Sequence, residues 1–105
     1  MVIPGLIEMH CHILPGVDDG SKDTETSVKM LRRLALQGAE TVVLTPHYYS
    51  DSISLADFIA RRNAAFTNLQ AALPPDAPRL LLGAEVYVSR YLMNNPDLTP
   101  ICVTG

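Results

Sequence analysis

Apolar residues in this chain gather into short runs separated by polar, proline-rich or glycine-rich stretches, and the spacing within each run predicts its conformation. Leu6 to Ile13, apolar apart from Glu8, His10 and His12, reads as a first strand between the breakers Pro4-Gly5 and Pro15-Gly16. A loop over 16–21 leads to a helix expected over 24–37, with Asp23 as its cap and Val28, Leu31, Leu34 and Ala35 as its apolar stripe. Gly38 stands where a helix C-terminal cap belongs. Thr41-Val42-Val43-Leu44-Thr45 is β-branched and apolar on both faces, the pattern of a buried parallel strand, and it ends at Pro46-His47. After a polar loop over 48–54, a second helix is expected over 55–73. Its core side carries Leu55, Ile59, Phe66 and Leu69, and its solvated side Arg61, Arg62 and Gln70. Pro74-Pro75-Asp76-Ala77-Pro78 stops it. A third strand over 79–88, a short helical turn over 89–94, a break at Pro96, a last short strand over 98–103 and a turn at Thr104-Gly105 complete the reading.

Strand, loop and helix recur at the interval of a βα unit, which predicts an α/β fold with a parallel sheet. In βα barrels the C-terminal strand ends form one rim and carry the chemistry. Here those ends are occupied by His12, His47 and Glu85. Side chains alternate along a strand, so Glu8, His10 and His12 share a face, with neighbours about 7 Å apart. Two imidazoles and a carboxylate beside the Asp18-Asp19-Gly20 loop outline a metal cradle.

Composition narrows the function classes. At 105 residues, the chain is long enough for one modest core. Its 48% hydrophobic and 18% charged content is that of a globular protein. A net charge of −3 with no basic run argues against nucleic-acid binding. No apolar run approaches the roughly 20 residues of a membrane span, and no signal peptide is recognisable. Cys11 and Cys102 lack framework spacing and fit unpaired thiols in a reducing cytoplasm.

Each candidate has an ordinary alternative. His10 and His12 could be satisfied locally, but H-x-H at a strand end favours metal. Asp18-Asp19-Gly20 could be a simple turn; beside H-x-H, Asp19 is favoured as a ligand and Asp18 as a solvated carboxylate or one placed behind a ligand. An EF-hand is excluded, because Val17 and Pro15 stand where carboxylates are required. His47 follows a buried strand. Glu85 interrupts an apolar one, which is costly for a carboxylate unless it is paired or metal-bound. Glu8 either orients a histidine or touches metal. Tyr48, Tyr49, Tyr87 and Tyr91 read as rim or packing residues. A cysteine-nucleophile phosphatase loop fails, since Val17 stands where its arginine should be, and no Ser-His-Asp motif is present.

The segments I-E-M-H-C-H-I-L-P-G-V-D-D-G-S-K-D, T-P-H and G-A-E-V resemble the N-terminal part of the PHP-family, manganese-dependent bacterial tyrosine-protein phosphatases of capsule and exopolysaccharide loci. The resemblance runs over essentially the whole chain. It implies a partial (β/α) barrel of PHP type, with about three βα units and a short final strand. It implies metal ligands at His10, His12, Asp19, His47 and Glu85, with Glu85 bridging two metals, and two or three Mn2+ ions, Fe or Zn also suiting the donors. The family usually has Asp at position 8, so the role of Glu8 stays open. Its later histidines, its Asp-x-His and its phosphate-binding arginines have no counterpart, and residues 1–105 are expected to be an incomplete N-terminal portion of the phosphatase domain. The implied reaction is metal-assisted hydrolysis of phosphotyrosine, with a capsule-regulating tyrosine kinase as substrate, in the cytoplasm. The alternatives are a non-catalytic assembly module, which includes a homo-oligomer, and an amidohydrolase, whose first strand also carries H-x-H.

Overall fold

The computed structural model describes residues 2–94 and 96–103, without the side chains of residues 91 and 94. The expected turn at Thr104-Gly105 and the packing of Tyr91 lie outside the described residues. The fold is mixed α/β. Strands β1 (Leu6–Glu8), β2 (Ala39–Leu44) and β4 (Arg79–Leu82) form a parallel sheet in the order β1-β2-β4. Two-residue strands β3 (His47–Tyr48) and β5 (Glu85–Val86) pair in parallel beyond it. Helices α1 (Thr24–Leu36) and α2 (Leu55–Ala72) connect the strands.

The helices begin and end for local reasons. The Asp23 side chain accepts the Thr26 N–H at 2.7 Å and caps α1. Ser54 caps α2 by accepting from Asp57 N. Gly38 adopts φ 104°, and a Cβ there would stand 2.0 Å from the Ile3 carbonyl oxygen, so only glycine fits the return into β2. The core joins Leu31 of α1 and Leu69 of α2 to Val42 and Leu44 of β2 and to Ile13 and Leu14 of the loop after β1. A second cluster, Tyr48, Phe58 and Ile101, packs under the rim.

Three expectations need correction. The first strand covers only Leu6–Glu8, because Glu8 turns back to accept the His10 N–H; one ladder bond persists beyond it, Thr45 N to Cys11 O. The strand expected over 79–88 is interrupted at Gly83-Ala84, and Tyr48, expected in the polar loop after the strand over 41–45, joins His47 in β3; Gly83 N to Leu44 O, Glu85 N to Pro46 O and Tyr87 N to Tyr48 O keep the ladder continuous. The final strand is absent. Thr99–Ile101 is a 3-10 turn with a proline in its first positions, and its carbonyls bond to a side chain instead of a sheet. The described residues form no closed barrel.

Candidate metal centre

The continuous ladder aligns the chemistry. His47 and Glu85 each open the strand that follows an interruption, and they are direct register partners across β3 and β5. The segment after β1 runs beside them, carrying His10 and His12. Glu85 gathers all three imidazoles. One carboxylate oxygen contacts His10 Nε2 and lies 3.7 Å from His12 Nε2; the other meets His47 Nδ1 at 2.5 Å. The His12 and His47 rings stack with centroids 4.3 Å apart.

Asp18 lies behind the histidines. Its carboxylate accepts from His12 Nδ1 at 3.0 Å, from His47 N at 3.1 Å and from Gly20 N at 2.9 Å. Burial opposes its ionisation, but the Gly20 and His47 N–H groups and the His12 imidazole outweigh that and hold its carboxyl below the usual range. The His10 imidazole is the main cause of a low Glu85 carboxyl, and His47 and His12 add to it. Asp19 is exposed, with one oxygen 3.5 Å from His47 Nε2. Glu8 grips the His10 backbone rather than any ring.

The structure therefore brings His10, His12, His47 and Glu85 together and leaves Asp19 at the edge. Of the two places expected for Asp18, solvated or behind a ligand, the structure shows the second, with its side chain only 5% exposed behind His12. Its signal was the D-x-G turn, in which an Asp accepts the N–H two residues on.

The donor set suits a divalent ion. Donor atoms of His10, His12 and Glu85 lie within 4.8 Å of one another, and so do those of His12, Asp18 and His47. Ligands about 2.0–2.2 Å from a shared ion stand at most about 4.4 Å apart, so small shifts suffice. Asp18 fixes the His12 ring through Nδ1 and leaves Nε2 for a cation, the usual carboxylate–histidine–metal order. Imidazole with carboxylate fits Mn, Fe or Zn.

Two predictions follow from this geometry. A Cβ on Gly20 would stand 2.1 Å from the His12 carbonyl oxygen. Gly20→Ala should push the Asp18 loop off His12 and weaken Mn2+ binding by about tenfold or more, as losing a ligand's supporting carboxylate does; unchanged calorimetric affinity would refute this. Burial pushes the Cys11 thiol up to about 11, and its Sγ donates to Val43 O. At neutral pH a thiol reagent should modify exposed Cys102 quickly and Cys11 slowly, because the thiolate is the reactive form; equal rates in Cys102→Ser and Cys11→Ser variants would contradict it.

Against known proteins, residues 6–102 match the family described as Capsular polysaccharide synthesis, CpsB/CapC. The chain belongs to that family. It is 34% identical over 84 residues to the tyrosine-protein phosphatase YwqE of Bacillus subtilis, an alignment covering 79% of this chain and 33% of that protein. It is 26% identical over 96 residues to the tyrosine-protein phosphatase CpsB of Streptococcus agalactiae, covering 91% of this chain and 40% of that protein. The chain thus spans between a third and two fifths of the curated relatives it matches. No helix among the described residues is long and apolar enough to cross a membrane.

Proposed function

We propose that residues 1–105 supply the N-terminal part of the active site of a divalent-metal-dependent protein-tyrosine phosphatase with a PHP-type barrel. The observation that carries the reading is the convergence of His10, His12 and His47 on the two oxygens of Glu85. The names of the relatives supply the reaction, hydrolysis of phosphotyrosine in proteins. Mn2+ as the ion, a capsule-regulating tyrosine kinase as the substrate and a cytoplasmic location belong to the same proposal.

In this reading His10, His12, His47, Glu85 and Asp19 would hold divalent cations, with one Glu85 oxygen on the His10 and His12 side and the other on the His47 side. Bound there, the cations would supply Lewis-acid chemistry to water and phosphoryl oxygens. Asp18 keeps the His12 ring in one orientation, and Glu8 fixes the backbone that carries His10. Cys11 takes no part as a nucleophile, since its thiol stays protonated near neutral pH.

Calorimetric titration with Mn2+, run beside an aryl phosphate turnover assay, tests the proposal. The expected result is measurable cation binding that the histidine variants lose, with slow turnover by these 105 residues. Failure to bind any of Mn2+, Fe2+ or Zn2+ overturns the cradle. Fast manganese-dependent turnover would instead show that these residues suffice without further ligands.

A second reading, self-association, is favoured by one observation. Val88, Met93 and Tyr87 are exposed close to the outer edge strand β5, and exposed edges and apolar patches promote pairing. Light scattering that gives a monomer across the accessible concentration range removes it.

A further inference from the structure

A cleft of about 400 Å³ opens beside the His47 end of the cradle, and several of its lining residues have no role assigned so far. Asp18, Asp19, His47, Tyr49, Phe58 and Arg61 all line it. The Tyr49 ring lies over His47 with centroids 5.4 Å apart and planes 21° apart, extending the His12–His47 stack outward. Tyr49 is 41% exposed; its ring also lies 5.5 Å from that of Tyr87 at 50°, so a ligand ring reaches the part these two neighbours leave open. Arg61 is exposed, and its guanidinium makes no hydrogen bond or ion pair with the described residues. Its neighbour Arg62 is buried and committed to backbone carbonyls. One cleft therefore joins part of the cation cradle, two aromatic rings and an arginine that is unpaired among the described residues.

We propose that this cleft is the aryl subsite of the centre described above, and the proposal rests on the phosphatase reading. Tyr49 stacks against the ring of a phosphotyrosine whose phosphoryl group faces His47. Arg61 pairs with a carboxylate of an acidic residue flanking that tyrosine. Asp18 and Asp19 make the His47 end of the cleft repel anions, so a phosphoryl group enters only when a divalent cation lies between them. Offset aromatic stacking and a charge-assisted bond recognise these two parts of the substrate separately.

The test is amide-resolved NMR titration of the 105-residue chain with and without Mg2+ or Zn2+. The probes are inorganic phosphate, phenyl phosphate and two short phosphotyrosine peptides, one with Asp and one with Ala beside the phosphotyrosine. With cation present, phenyl phosphate should shift the amides of Tyr49, Ile53, Phe58 and Arg61; without cation it should shift none. At saturating cation, Tyr49→Ala should weaken phenyl phosphate about fivefold more than it weakens inorganic phosphate, the scale of one aromatic pair, and be rescued by Tyr49→Phe. Arg61→Ala should weaken the Asp peptide about tenfold, as loss of one charge-assisted bond does, and spare the Ala peptide. Equal weakening of both peptides by Arg61→Ala would place Arg61 on the phosphoryl group and overturn its assignment to the carboxylate. Cation binding with wild-type affinities for every probe in both variants overturns the subsite alone. Absence of cation binding overturns the phosphatase reading, and the subsite falls with it.

Discussion

Glu85→Gln is expected to weaken Mn2+ binding by more than about a hundredfold, because even carboxylates placed behind metal ligands are worth about 10–100-fold. Among the described residues Glu85 is the one carboxylate that touches all three histidines, and each of its oxygens serves a different set. The amide keeps the shape but loses the charge and replaces one acceptor with a donor. Glu8→Gln is the control: Glu8 holds only the His10 backbone N–H, so its loss should cost less than about tenfold. Calorimetry on both variants decides, and near-identical affinities would mean that Glu85 is an ordinary ion-pair residue. A pH signature accompanies the change. The folded Glu85 carboxyl sits below its ordinary value, chiefly because of His10. Its stabilising contribution is therefore present above the unfolded pKa and lost as pH falls through the folded one. Glu85→Gln removes that loss, so its urea midpoint should fall less than that of the wild type across the acid range.

The convergence at Glu85 was legible in the sequence because strand ends in a parallel sheet share a rim. His47 and Glu85 follow apolar runs whose β-branched and leucine content fixed them as neighbouring strands, and the register places one against the other. What the sequence concealed were interactions between residues far apart in the chain or satisfied by backbone. Asp18 looked like half of a turn, and it is; its second oxygen also holds His12 and the His47 N–H. Pro46 cannot donate to a ladder, and Gly83 lies where a Cβ would be 2.7 Å from Val103 Cγ2. Gly83 splits the strand expected over 79–88, and Pro46 ends the one expected over 41–45 ahead of the short strand β3. The last segment, Leu98 to Val103, has a strand's composition but contains Pro100, and its carbonyls are claimed by an arginine that helical spacing had placed on the solvated face.

That arginine carries the largest expected effect on stability. Arg62 is 5% exposed, in contrast to its exposed neighbour Arg61. Its guanidinium donates to Gly83 O at 3.0 Å, Pro100 O at 3.1 Å and Ile101 O at 3.4 Å, and it lies 5.9 Å over the Phe58 ring. Burial pushes its pKa below the ordinary value, and its Nε has no partner among the described residues. Three carbonyl dipoles and a ring face replace water around this buried cation. Arg62→Ala strands those carbonyls and opens a void, which should destabilise the fold by about 3 kcal/mol. Arg62→Lys should recover only part of this, since an ammonium cannot reproduce the planar fork. Urea midpoints measure the difference, and a loss under about 0.5 kcal/mol, the range of ordinary surface substitutions, would refute the tie. The same side chain couples stability to the site. Gly83 lies two residues before Glu85, so loosening its carbonyl frees the step from β4 into β5. Arg62→Ala should therefore lower cation affinity as well as stability, whereas a cavity elsewhere in the core, such as Leu31→Ala in α1, should lower stability alone.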